Sequence, residues 1–208
     1  GELTMAEKQA EQAVERQQVN MGDWISRAWD MVTADLGPFI ILGLIYLVIV
    51  GVTSSLVIVE FVVLGPLAVG FFLVVFEKIR GREVNIGDIA KGFNYFVPAV
   101  LSNILITVFT VIGFVFCIIP GFIIAALYLF TPAFILEQKL DFWEAMEASR
   151  KVVMQHLFEL IIFVIILGLI NLVGALLCGI GLVFTIPLTF AAMGLAYDDL
   201  VGIEKTEG

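Results

Sequence analysis

Residues 39–59 run for 21 positions without a charge, and no soluble fold offers such a stretch enough interior to hide in. As a helix it would cover about 31 Å at roughly 1.5 Å per residue, the thickness of a bilayer's hydrocarbon core. Runs of the same kind recur at 61–76, 97–112, 114–136, 157–177 and 182–197. Composition agrees: 61% of the chain is hydrophobic, 15% is charged, and mean hydropathy is +1.06. A soluble domain of this size would need more polar surface. The expectation is an all-α integral membrane protein.

The apolar runs fall into pairs. The second member of each carries a proline near its start, at Pro66, Pro120 and Pro187, six or seven residues after expected outer turns near Glu60, Gly113 and Gly181. Proline inside a membrane helix removes a backbone hydrogen bond and kinks the axis. A short amphipathic stretch precedes each pair. In the first, Asp23 is an expected N-cap and Trp24, Ile25, Ala28, Trp29 and Val32 recur at helical spacing, with Gly37-Pro38 as the break. In the second, Asn85 is the expected cap, with Ile86, Ile89, Ala90 and Phe93 on one face. In the third, Asp141 and Glu144 resemble a capping box ahead of Phe142, Trp143, Met146 and Val153. Trp24, Trp29 and Trp143 are the expected anchors at headgroup level. The expected architecture is six transmembrane helices as three pseudo-repeated hairpins, each preceded by an amphipathic interfacial helix. Residues 1–20 form a polar tail, frayed or disordered, with a partner-binding helix as the alternative. Residues 21–200 form one membrane domain, and 201–208 a short C-terminal tail.

All 11 Lys and Arg lie on one side of this arrangement. The positive-inside rule then places both termini and the three amphipathic helices in the cytoplasm. The first twenty residues are polar, so no secretory signal is expected and the location is the cytoplasmic (inner) membrane. A net charge of −9 argues against nucleic acid and against a polybasic lipid anchor. Cys117 and Cys178 are too few for a disulfide framework or a cysteine-rich metal site. They read as small packing residues, or as one bridge in an oxidising compartment.

Several short stretches together resemble a family. They are DWISRAW at 23–29, GREVNIGDIAKGF at 81–93, CIIPG at 117–121, EAMEAS at 144–149 and AYDDL at 196–200. The chain is similar to prokaryotic polytopic membrane proteins related to the membrane domain fused to some glycerophosphoryl diester phosphodiesterases. The resemblance implies a fold and a location, not an activity. No carboxylate and histidine set in these residues replaces the phosphodiesterase chemistry.

Few residues offer chemistry of their own. His156 and Glu159, three apart, would share a helix face, as a solvated interfacial pair or a proton or ion relay. Glu60, Asn103 and Asn171 are candidates for a polar path, against hydration for Glu60 and interhelical hydrogen bonding for the asparagines. No Lys, Arg or Asp falls within a span, which weakens a coupled transporter or pump. No GxSxG, Walker loop, HExxH or GxGxxG occurs, so no catalytic residue, metal or cofactor is expected. The expected function is a non-enzymatic scaffold or accessory role through membrane lipid, with a protein partner at the cytoplasmic face as a second contact. A channel or small-solute transporter along the pseudo-threefold axis is the alternative. The oligomeric state is open.

Overall fold

The computed structural model describes residues 19–53, 57–116, 118–177 and 179–203; side chains at 53–61 and 118 fall outside this description. Among the described residues all regular structure is helical. The elements are α1 (Met21–Ala34), α2 (Leu36–Thr53), α3 (Val57–Ile79), a 3-10 helix (Ile86–Tyr95), α4 (Phe96–Phe116), α5 (Ile118–Leu127), α6 (Thr131–Glu137), α7 (Phe142–Gln155), α8 (Leu157–Leu176) and α9 (Leu182–Leu200). Helices close all their backbone bonds locally, which is what a segment in hydrocarbon requires.

Four stretches among the described residues are long and apolar enough to cross a bilayer: Val62–Ile79, Ile86–Phe116, Ile119–Glu137 and Leu157–Leu176. The α1–α2 pair, bent by 101°, makes a fifth if read as one broken span. Helix α9 has 19 residues but ends in Asp198 and Asp199.

The helices sort into an inner and an outer set. Val62–Ile79 is 56% buried and Ile119–Glu137 44%, whereas Ile86–Phe116 and Leu157–Leu176 are each 22% buried. Helix α9 belongs inside, burying Leu188, Ala191, Ala192, Leu195, Ala196 and Tyr197. The three inner elements meet at Tyr197, whose ring lies 5.4 Å from Phe76 of α3, 5.9 Å from Phe130 and 5.1 Å from Phe134 of α6. Above it Phe71 stacks on Phe190 at 4.5 Å, with Tyr46 of α2 edge-on to both. The outer helices leave Val108, Val111, Leu169, Leu172 and Val173 exposed, an apolar exterior suited to lipid rather than water.

The first amphipathic helix differs from expectation. It starts three residues earlier, capped by Asn20, whose Oδ1 accepts from the Asp23 N–H at 3.1 Å. It breaks at Asp35, while Gly37 and Pro38 sit in the first turn of α2, where proline's missing N–H is not needed. Its buried stripe is Trp24, Ala28 and Val32, packed along α9. Trp24 is therefore not a headgroup anchor: it is fully buried, edge-on to Phe163 at 5.2 Å, and its Nε1 donates to Asp199 at 2.6 Å. Trp29 and Trp143 are 52% and 59% exposed, and Trp29 also touches Phe184 at 5.1 Å.

The second amphipathic stretch is a ten-residue 3-10 helix, unusually long for its kind. Asn85 caps it, accepting from the Gly87 N–H at 3.0 Å. Its inward face therefore repeats every three residues: Ile89 and Gly92 are buried, Ile86 and Tyr95 partly so, and Ala90 and Phe93 are exposed. A Cβ on Gly92 would stand 2.2 Å from the Pro66 carbonyl oxygen and 2.4 Å from the Gly70 nitrogen; one on Gly70 would stand 2.0 Å from the Ile89 carbonyl oxygen. The segment is seated backbone to backbone on α3, and that contact holds the 3-10 winding.

The outer turns also move. Helix α3 begins at Val57, which places the backbone of residue 60 one turn inside it; the Glu60 side chain lies outside the described residues. Helix α4 continues past Gly113 to Phe116, and Gly113 serves as a close-packing point, where a Cβ would lie 3.0 Å from Gly121 Cα. The third turn falls at 179–181 as expected, with Gly179 at φ +76°. Pro66 and Pro187 are inside their helices, but Pro120 stands in the first turn of α5 and removes no interior bond. The second return breaks instead at 128–130. There Ser149 of α7, fully buried, accepts from the Phe130 N–H at 3.2 Å and donates to the Leu127 carbonyl at 2.8 Å. Asp141 caps α7 by accepting from the Phe142 N–H at 2.8 Å. The expected Cys117–Cys178 question and the tails at 1–18 and 204–208 lie outside the described residues.

Candidate functional site

Charged side chains gather where the inner helices end. Helix α3 closes in a Schellman motif: the Gly81 N–H bonds the Lys78 carbonyl and the Arg82 N–H bonds the Glu77 carbonyl, each at 3.0 Å. Gly81 takes φ +78°, which a Cβ would strain. The motif turns the EKIRGR sequence outward, so that its charges spread over three neighbouring helix ends.

Arg80 reaches α6 and holds both oxygens of Glu137 at 2.7 Å, with a third bond to Glu77 at 3.2 Å. The pair is 14% and 12% exposed. Burial alone would lower the Arg80 pKa; the bonds and charges of Glu137 and Glu77 outweigh it and hold the guanidinium above its ordinary value. Glu77 is shared with Arg82 at 2.6 Å. Lys78 pairs with Asp35 at the α1–α2 break. Asp199, near the end of α9, binds both Trp24 and Arg27, and Arg27 also meets Asp23 at 2.7 Å. These pairs draw the α1–α2 break and the ends of α3, α6 and α9 to one end of the bundle. Between the break and the α3 turn lies a cavity of about 300 Å³, lined by Asp35, Pro38, Lys78, Arg82, Glu83 and Val84, with Gly81 at its rim.

Gly81→Ala offers a direct check on this turn. No atom lies within 4 Å of the position a Cβ would take, so the cost is conformational, about 1–2 kcal/mol. Thermal unfolding in detergent should fall by about 2–8 °C.

The residues singled out in the sequence are not brought together. Asn171 bridges α8 and α9, its Nδ2 donating to the Leu167 carbonyl at 2.9 Å and to Thr189 Oγ1 at 2.7 Å. Asn103 lies at the α3–α4 contact, where its Cβ approaches Gly65. Each thus belongs to a different helix pair. His156 sits half-buried at the α7–α8 junction without a side-chain cap bond, and Glu159 is exposed. Among the described residues no group of three or more His, Cys, Asp or Glu side chains could hold a metal ion.

Sequence alone does not show the paired ends as a site, because it gives the cations a side but no partners. The available signal is that acids at 35, 77, 137 and 199 fall at or near the ends of apolar segments, beside the basic residues.

Compared with protein-family models, curated proteins and solved structures, the chain matches none. The resemblance stated above rests on the residues quoted for it.

Proposed function

We propose that the chain is a non-enzymatic scaffold or accessory protein of the cytoplasmic membrane, acting through lipid or protein contacts. It crosses six times, with α2, α4 and α8 going out and α3, α5–α6 and α9 returning, and both termini are cytoplasmic. The division into inner and outer helices supports three equivalent hairpins, and the ion-paired helix ends support a common side for the basic residues. This agrees with the membrane family that the short motifs resemble.

One observation carries the reading. Where the returning helices meet, the space is occupied by fully buried aromatic rings: Phe71, Phe72, Phe76, Phe130 and Tyr197. A channel along the pseudo-threefold axis would need polar groups there. Asn171 divides its amide N–H groups between Leu167 of its own helix and Thr189 of α9, and the second bond has the role by which polar side chains hold membrane bundles together.

Ion and solute flux in proteoliposomes tests the reading. The protein is expected to conduct no more than empty vesicles. A flux above that level, lost in Asn103→Leu and Asn171→Leu variants that still fold, would replace the scaffold with a channel or small-solute transporter.

A further inference from the structure

The segment Ile86–Tyr95 keeps a 3-10 winding for ten residues, where runs beyond three or four are uncommon. It also opens a crossing stretch. Phe96, at φ −53° and ψ −54°, carries it into α4 without a break, and Ile86–Phe116 as a whole is long and apolar enough to cross a bilayer.

Its residues suit two windings. At three residues per turn Ile86, Ile89, Gly92 and Tyr95 face α3, and Phe93 is left 41% exposed. At about 3.6 per turn Ile86, Ile89, Ala90 and Phe93 share one face, and Gly92 leaves it. The first winding is held by the glycine seat, Gly92 against the Pro66 carbonyl and Gly70 against that of Ile89. The second would turn Ala90 and Phe93 toward α3, and their side chains need an ordinary interaxial spacing of about 8–10 Å in place of backbone contact. The two states therefore exclude each other. Asp88 and Lys91, paired at 2.7 Å and three apart, lie on neither apolar face and can meet in both.

The states differ in length. Ten residues rise about 20 Å as a 3-10 helix and about 15 Å as an α-helix. Residues 82–85, between the α3 turn and the segment, are not helical and can take up the difference. A crossing stretch that can shorten by about 5 Å can follow the thickness of its bilayer.

We propose that Ile86–Tyr95 is a length-adjusting strap, seated on α3 in the 3-10 winding where the bilayer is thick, and lifted and α-wound where it is thin. The inference goes beyond the scaffold reading. It requires that the chain cross the bilayer and is indifferent to what it does there.

The test places a nitroxide on the full chain at Phe93→Cys, in a background of Cys117→Ala and Cys178→Ala. The protein is held in nanodiscs of phosphatidylcholine with either twenty-two-carbon or fourteen-carbon monounsaturated chains. A label at Val97→Cys, exposed in the first turn of α4, is the control. In the thick discs the label at 93 should give a mobile spectrum. In the thin discs an immobilised component should rise about tenfold against the mobile one. That is a change of about 1.4 kcal/mol, which about 5 Å of mismatch supplies at a fraction of a kcal/mol per Å. The label at 97 should show no such component. Gly92→Ala, whose Cβ denies the seat, should give the immobilised component in both discs. Should that variant unfold on heating far below the wild type, the wild-type comparison decides alone. Matching spectra at 93 in the two discs would overturn the strap, and so would equal changes at 93 and 97. A folded Gly92→Ala protein that follows the wild type would overturn it too, because the seat would not be what holds the winding. A chain absent from the disc fraction would overturn the crossing reading itself, and the strap with it.

Discussion

Arg80→Ala is expected to destabilise the protein by about 3–5 kcal/mol, the cost of leaving a buried carboxylate without its partner. Glu137 is 12% exposed and spends both oxygens on Arg80, so truncation removes two charge-assisted bonds at once. Glu77 suffers less, because Arg82 still reaches its other oxygen. Thermal unfolding in detergent should fall by about 6–20 °C, given about 2–4 °C per kcal/mol for a chain of this length. Arg80→Lys should recover only part of the loss, since Arg80 gives Nη2 to Glu137 and Nη1 to Glu77, and an ammonium has a single nitrogen for the two acids. The double change Arg80→Met with Glu137→Leu separates attraction from desolvation. Replacing a buried pair by apolar groups is often neutral or better, so the double variant should unfold above the single one. If Arg80→Ala unfolds with the wild type, the pair does not hold α3 to α6.

That pair also shows what the sequence makes legible. Charge-free runs locate most of the crossing helices because length and hydropathy are local properties. Asn85 and Asp141 are readable as caps because capping is a bond between near neighbours. Partnership over long sequence separation is not local, and there the sequence misleads. Trp24 reads as a headgroup anchor because its neighbours are polar, yet α8 brings Phe163 edge-on to its ring and α9 supplies the Asp199 acceptor. Pro120 reads as the equal of Pro66 and Pro187 by its distance from a turn. Helix α4 runs on past Gly113, so the same distance brings Pro120 to a helix start. The break at 128–130 has no proline or glycine within it. It survives because Ser149, 19 residues on from Phe130, satisfies the freed N–H and carbonyl. Of the candidate site, the acids and bases were visible but their pairing was not. Residues 35 and 78, or 80 and 137, are matched only once the helices have packed.

The 3-10 helix supplies the second large expectation, and it concerns a glycine. Gly92→Ala should cost about 1–3 kcal/mol and Gly92→Val should prevent folding. In most cores an added methyl group meets flexible side chains that can turn aside. Here the obstructing atoms are the Pro66 carbonyl oxygen at 2.2 Å and the Gly70 nitrogen at 2.4 Å, both main chain of a membrane helix. Space could be gained only by lifting the 3-10 segment off α3. Ile89 would then lose the contact that its carbonyl makes over Gly70, and the winding that depends on that seat would relax toward 3.6 residues per turn. Relaxation would rotate Ala90 and Phe93 inward and Gly92 outward, the face that an α-helical reading of the sequence favours. Gly37→Ala is the control: nothing stands within 4 Å of the added Cβ, and its effect should stay within about 0.5 kcal/mol. Thermal unfolding and proteolysis at 86–95 report the two outcomes together. Loss of stability with faster cleavage in that segment is the expected result for Gly92→Ala. A Gly92→Ala protein that matches Gly37→Ala on both counts would mean that the segment does not lie backbone to backbone on α3, and that something other than α3 sets its three-residue repeat.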